Sequence, residues 1–316
     1  MQIVDFTTAH IEQALRIAKQ NYDEERGFVP ALPPIDAVPD LTPYTKNGLG
    51  VAAIEGDTMA GFLCAAGPFP NAFRSTDAIM VFSPMGANGA VCENRANIYA
   101  RMYQAAGEQW ARAGAASHGI CLYAHDTAAQ KQFFHYGFGM RCVDAIRDMG
   151  DIALPAYNNY AFSELAPEDV SEIYPFYAAH VKSYRASPFF MRRDIKSETE
   201  IIRESAENRP MCFVARYDGQ PVAYVTAEHD GETFICKVPD YMHANSAYCL
   251  PEHRGIGLNQ ALLGMLVQKL KAQGYTRLGV DFESVNPSGY GFWLKHFDAY
   301  THSVVRRIDE HVIIKR

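Results

Sequence analysis

The segment SAYCLPEHRGIGLNQALLGMLVQKLKAQGYTRLGVDFESVNPSGYGFWLKHF, residues 246–297, decides the fold. Ser246 to Leu250 is a short apolar strand, and Pro251 ends it because proline lacks the amide donor that a strand needs. Arg254-Gly255-Ile256-Gly257-Leu258-Asn259 then leads into a helix whose apolar positions 258, 261, 262, 265, 266 and 270 form one face. Gly274 follows that helix, where glycine accommodates a left-handed cap. Leu278 to Glu283 reads as a second strand, with Leu278, Val280 and Phe282 on one side and Asp281 and Glu283 on the other. Strand, glycine-bearing loop and helix start together aim several backbone N–H groups at one point, and the helix dipole adds partial positive charge there. Such a place suits a phosphate or pyrophosphate. At Gly255 and Gly257 a side chain would hold that ligand off the backbone. The loop is neither a P-loop, since no Gly-Lys-Ser/Thr closes it, nor a dinucleotide G-x-G-x-x-G. Taken alone, two glycines are equally well a flexible lead-in to a helix.

Outward from this segment, the chain repeats itself at an offset of about 160 residues. GVAAIEGDTMAGFLCA (50–65) resembles CFVARYDGQPVAYVTA (212–227), each a pair of strands around a tight acidic turn. GICLYAHD (119–126) resembles RLGVDFES (277–284), and FFHYGF (133–138) resembles FWLKHF (292–297). Ile11, Leu15 and Ala18 in the first half, and Val170, Ile173, Tyr174 and Tyr177 in the second, keep helical spacing. Glu93–Arg112 and Leu258–Gln273 are longer helices, closed by Gly114 and Gly274. Residues 150–160 have neither period, which places a boundary near 155. The expectation is an α+β chain of two duplicated domains, 1–153 and 154–316.

Composition narrows the function classes. The 316 residues are 48% hydrophobic and 21% charged, with a net charge of -7, so neither a disordered chain nor a basic nucleic-acid-binding face is indicated. No apolar run approaches the roughly 18 residues of a spanning helix. The start MQIVDFTTAHIEQAL has no basic segment followed by an apolar stretch, so it does not read as a secretory signal. Seven scattered cysteines without a C-x-x-C pair read as free thiols in a reducing cytoplasm, and eleven histidines without H-E-x-x-H give no zinc signature.

With its flanks, the segment 246–297 resembles the acyl-CoA-binding core of the GNAT N-acyltransferase superfamily, and the likeness covers most of 160–316. The family's Arg/Gln-x-x-Gly-x-Gly/Ala loop is matched at Arg254 and Gly257 and departs at Asn259. Leu262-Leu263 matches the following Leu pair, Asn286 the Asn after the next strand, and Phe292-Trp293 stands where Phe/Leu-Tyr is usual. The hairpin 212–227 fits the family's second and third strands. The resemblance implies two tandem GNAT-like domains, each a mixed, mostly antiparallel sheet with flanking helices. It also implies acetyl-CoA as acyl donor without a metal, a small-molecule amine as acceptor, and neither nucleic acid nor membrane as partner. By the same resemblance Gly255, Ile256, Gly257, Leu258 and Asn259 hold the pyrophosphate beside Arg254. Cys249 and Leu250 line the strand edge that pairs with the pantetheine amides. Asn286 bonds the pantetheine or serves as a turn residue, and Trp293 packs against CoA or the core.

Direct attack of an amine on the thioester needs a proton acceptor, a polarised carbonyl and a leaving thiolate. Glu283, at a strand end, is the expected base, with Glu228 and His243 as weaker candidates. Tryptophan is no practical acid, so Tyr290 is the expected acid in place of Trp293, or else a packing aromatic. Cys249 reads as a small apolar filler rather than an acyl-carrying thiol. In the first half, Asn94-Arg95-Ala96-Asn97 aligns with Arg254-Gly255-Ile256-Gly257 and retains no glycine, so that domain is expected to be degenerate. Its His125, Asp126 and His135 are pocket groups or surface and capping residues. The departures at Asn259 and Trp293 keep a second reading open, a non-catalytic acyl-CoA-binding sensor or interaction module.

Overall fold

The computed structural model describes residues 1–71, 78–154, 157 and 159–313. Two compact units result, one of Met1–Asp144, Phe282–Tyr290 and Asp298–Arg316, the other of Ala145–Asp281 and Gly291–Phe297. In chain order the elements are β1 (Gln2–Asp5), α1 (Ile11–Phe28), β2 (Gly50–Glu55), β3 (Thr58–Cys64), β4 (Ala66–Phe69), β5 (Met80–Ser83), β6 (Asn88–Ala90), α2 (Arg95–Arg112), β7 (Ser117–Tyr123), α3 (Thr127–His135) and β8 (Gly139–Asp148). There follow β9 (Tyr160–Leu165), α4 (Tyr174–Ser183), α5 (Glu198–Asn208), β10 (Met211–Tyr217), β11 (Gln220–Glu228), β12 (Tyr241–Cys249), α6 (Leu258–Ala272), β13 (Arg277–Glu283), α7 (Pro287–His296) and β14 (Asp298–Arg307). The boundary expected near 155 lies outside the described residues, since 155, 156 and 158 are not among them.

In the first unit, β1-β2-β3-β6 form one run of strands and β4-β5-β7-β14 another. α1 buries Ala14, Ile17, Ala18 and Tyr22, a stripe at helical spacing, while Ile11 and Leu15 lie half-buried at its margin. α2 turns Tyr99, Met102, Tyr103, Ala106 and Trp110 into a core shared with Leu63, Ile120, Phe133 and Val304. The Trp110 indole donates to the Leu49 carbonyl at 3.0 Å, so the largest core side chain leaves no buried donor unmade. Val304 belongs to β14, which runs antiparallel to β7 from Thr301↔Tyr123 to Arg307↔Ser117. The contiguous halves 1–153 and 154–316 therefore do not coincide with the compact units: the chain's last strand completes the first unit's sheet.

In the second unit the strand order is β9-β10-β11-β12-β13, antiparallel except for the parallel pair β12/β13. The β10/β11 turn has Asp218 and Gly219 at φ 49° and 78°, the left-handed pair that the twist of a two-residue hairpin requires. α6 packs over β10, β11 and β12 with Leu258, Ala261, Leu262, Leu266 and Leu270 buried. Met265, expected on that face, is half-buried, whereas Leu263, Gly264 and Val267 are buried as well. The reason is a second covering layer: a Cβ added at Gly264 would lie 2.4 Å from Leu154 Cδ2 and 3.4 Å from the Ile152 carbonyl. Val170 and Ile173, expected in one helix with Tyr174 and Tyr177, are buried in a 3-10 turn, Pro167–Ile173. α4 begins only at Tyr174, with Pro175 in its first turn, where a missing amide costs nothing.

Candidate functional site

The glycine loop is built as a donor cradle. β12 ends at Cys249, Pro251–His253 make a single 3-10 turn, and α6 starts at Leu258. Gly255 and Gly257 take φ +81° and +90°, which side-chain-bearing residues avoid, and Gly257 caps the helix in the left-handed conformation. The amides of Leu250, His253 and Arg254 are spent on Val222, Leu250 and Pro251 carbonyls, and the first helical bond is Ala261 to Gly257. Between them, the N–H groups of residues 255–260 have no acceptor among the described residues. The Arg254 Nε donates to the Cys249 carbonyl at 2.9 Å, and its guanidinium stands over the Tyr248 ring, 5.4 Å from the centroid. Asn259 lies just inside α6, and its buried Oδ1 accepts no hydrogen bond among the described residues.

Beside this cradle the sheet forks. β12 and β13 pair from Tyr241↔Arg277 to Ala244↔Val280 and no further, while β12 stays with β11 as far as Cys249↔Ala223. A bulge in the β11/β12 pairing leaves Asn245 without an opposite residue at the fork. The stretch Asn245–Cys249 thus presents one edge without a strand partner among the described residues, the arrangement an extended amide-bearing ligand needs.

Immediately before the fork stands His243, 3% exposed. Its Nε2 is 2.8 Å from Asp281 Oδ1 and its Nδ1 is 2.6 Å from the Tyr241 hydroxyl. Burial opposes charge on the ring, but the Asp281 carboxylate outweighs it and raises the imidazole to about 10. Glu228 is directly opposite His243 across β11 and β12, and burial raises its carboxyl above the usual range. Opposed and alternating positions place Glu228, His243 and Asp281 on one face of the sheet.

The other expected residues lie elsewhere. Glu283 belongs with the first unit, as do Asn286 and Tyr290. Arg141 grips both Glu283 oxygens, at 2.6 and 3.3 Å, and the carboxylate side chain is only 11% exposed. Asn286 caps α7, its Oδ1 accepting from Ser288 Oγ and Gly289 N, both at 3.0 Å. Tyr290 is half-buried, with its ring edge-on to Phe282 at 5.9 Å. Trp293, in the second unit, is buried against Phe292 and Phe297. Cys249 is buried, and burial pushes its thiol up to about 11, opposite to what an acyl-accepting nucleophile needs. Sequence reading ranked His243 low and passed over Asp281, because only strand register brings these positions together. Among the described residues no group of three or more His, Cys, Asp or Glu side chains is placed to hold a metal ion.

At the first unit's corresponding helix start the alignment needs correction. α2 begins at Arg95 with Asn94, at φ 57°, as its left-handed cap, so Asn94 and not Asn97 stands in the place of Gly257. α2 has 18 residues and α6 has 15, which shifts the offset at their starts from that at their closing glycines. Arg95 is bound by Glu24 at 2.8 Å and faces Asp126 at 3.5 Å. Asp126 also caps α3, and the His125 ring lies 2.8 Å from the buried Glu25. Carboxylates thus occupy the neighbourhood of this helix start, where they oppose an anion.

Residues 175–298 match the acetyltransferase (GNAT) family. In structure, the chain is similar to a GCN5-related N-acetyltransferase from Sphaerobacter thermophilus, at 10% identity, covering 97% of this chain and 95% of that one, with a TM-score of 0.56. It is also similar to a GCN5-related glucosamine N-acetyltransferase region of a fungal multi-domain GH3 β-N-acetylglucosaminidase, at 12% identity, 96% and 38% coverage and a TM-score of 0.50. A tandem GNAT protein from the clavulanic acid biosynthesis pathway aligns over 97% of this chain and 98% of its own, at 11% identity and a TM-score of 0.43. No curated protein matches the sequence. The chain is an α+β protein whose fold is similar to that of GCN5-related N-acetyltransferases. The match of residues 175–298 to the GNAT acetyltransferase family supports acyltransferase activity in general.

Proposed function

We propose that the protein is an acyl-CoA-dependent N-acyltransferase that moves acetyl from acetyl-CoA to a primary amine of a small molecule, with its site in the second unit. One observation carries this reading: the successive unengaged amides of residues 255–260 at the start of α6, set beside the open edge of Asn245–Cys249. The amides and the helix dipole suit a pyrophosphate, with Arg254 at its side. The strand edge suits the pantetheine amides, which leads the thioester toward the fork. Direct attack by the amine then requires a proton acceptor. Glu228, raised by burial and facing the fork's own unit, fits that task better than Glu283, whose oxygens are taken up by Arg141. Tyr290, the expected proton donor, belongs to the first unit, and Tyr290→Phe tests its role. Calorimetric titration with acetyl-CoA tests the reading, and a folded sample that gives no heat refutes it. The engagement of Glu283 favours a second reading, an acyl-CoA-binding module without turnover. Release of free thiol from acetyl-CoA across a panel of amines separates the two, with Glu228→Gln, Glu283→Gln and Tyr290→Phe assigning the groups.

A further inference from the structure

On the side away from Asp281, His243 Nδ1 meets the Tyr241 hydroxyl at 2.6 Å, and Cys236 stands beside that pair. Cys236 sits half-buried on the 3-10 turn Phe234–Lys237, its amide bonded to the Thr233 carbonyl and its Sγ 3.3 Å from Thr233 Oγ1. The Cys236 sulfur lies close enough to His243 to favour the protonated ring. Both close around Gly231: a Cβ there would fall 2.2 Å from Cys236 Sγ and 3.2 Å from His243 Nδ1. Gly231 also takes φ +134°, a conformation that only glycine holds without strain. A bare glycine thus lets the sulfur reach the imidazole, while Asp281 holds the far nitrogen at 2.8 Å. Thiol, imidazole and carboxylate in that sequence, with the carboxylate fixing the ring, are the parts of an activated sulfur nucleophile. Cys64 and Cys212 are buried, and burial is the main cause that raises their thiols.

We infer that Cys236, His243 and Asp281 form a nucleophilic triad that accepts an acyl group from a thioester. His243 stands next to the last β12/β13 pair, at the mouth of the fork. The inference rests on the proposed function for its acyl donor and adds a two-stage route to direct attack. In the first stage the bond from Cys236 sulfur to the acyl carbon forms and the bond to the CoA sulfur breaks; the thiol proton passes to His243 and then to the departing CoA thiolate. In the second, the amine attacks the acyl-cysteine, Cys236 leaves as a thiolate, and the amine proton returns to it through His243.

The test is peptide mass spectrometry of the full chain after exposure to acetyl-CoA without an amine, with CoA affinity measured in parallel by calorimetry. The expected result is one acetyl group on Cys236, lost when an amine is added and absent in Cys236→Ser. Asp281→Asn, a conservative change at a half-exposed carboxylate, should slow labelling on the order of a hundredfold and leave CoA affinity unchanged. If acetyl-CoA binds and Cys236 stays unlabelled, or another cysteine is labelled instead, the triad is refuted while the binding loop stands. If acetyl-CoA does not bind, the proposed function falls, and 4-nitrophenyl acetate becomes the probe. Selective acetylation of Cys236 by that ester upholds the triad, and its absence refutes it.

Discussion

Replacing Gly257 with glutamate puts a side chain and a negative charge into the cradle together. Two costs can be worked out. The residue caps α6 at φ +90°, so any side chain there destabilises the fold by about 1–2 kcal/mol. If a CoA pyrophosphate rests on the amides of 255–260, the carboxylate comes within roughly 5 Å of one of its charges. At an effective dielectric of about 20 that repulsion is about 3 kcal/mol, or on the order of a 200-fold loss of affinity. Gly257→Ala shares the backbone cost without the charge, so the difference between the two variants isolates the electrostatic part. Urea denaturation measures the first quantity and calorimetric titration with CoA the second. A folded Gly257→Glu protein that binds CoA as tightly as the parent would remove the pyrophosphate from this loop.

Removing Arg141 leaves Glu283 charged and only 11% exposed, so Arg141→Ala should cost about 3 kcal/mol in urea denaturation; a loss below about 1 kcal/mol would mean that water screens the pair. Gly279→Ala should destabilise by about 2 kcal/mol or more, because its Cβ would fall 1.9 Å from the Tyr241 hydroxyl. Gly27→Ala meets nothing within 4 Å at the end of α1 and should instead stabilise by up to about 1 kcal/mol. His118 is buried and bonded to the Tyr103 hydroxyl, and burial lowers its ring to about 4. The unfolded chain, titrating near the ordinary value of 6.5, then binds the proton first, so stability is lost as pH falls from about 6.5 to 4, by up to about 3 kcal/mol. His118→Gln should flatten that limb of a stability–pH curve, and an unchanged slope would contradict the assignment. His243, raised to about 10, contributes with the opposite sign: its share is full below 6.5 and is lost as pH climbs through 10.

What the sequence disclosed and what it hid divide along chain distance. Asp218-Gly219 announces its hairpin because two adjacent residues dictate the turn, and Arg254 to Leu258 announces a helix start for the same local reason. α2, α6 and their closing glycines are legible from periodicity, and the repeated hairpins 50–65 and 212–227 are both strand pairs in the structure. Contacts set by remote partners are not legible. Glu283 looks like a free carboxylate at a strand end until Arg141, 142 residues earlier, is seen holding it. His243 and Asp281 meet only because the parallel register places His243 beside Gly279. Equivalence of Asn94 with Gly257 was obscured by helices of unequal length, and no periodicity shows that β14 joins β7.

That last pairing has a consequence for biosynthesis. β7 has β5 on one side and needs Thr301–Arg307 on the other, yet Thr301 is made 178 residues after its partner Tyr123. Until then Val304 is missing from the core around Trp110, and β7 carries a row of unmet amides and carbonyls. The unit begun first therefore waits for a distant strand, and a nascent chain stalled before residue 298 would expose a sheet margin prone to joining its neighbours on the same messenger.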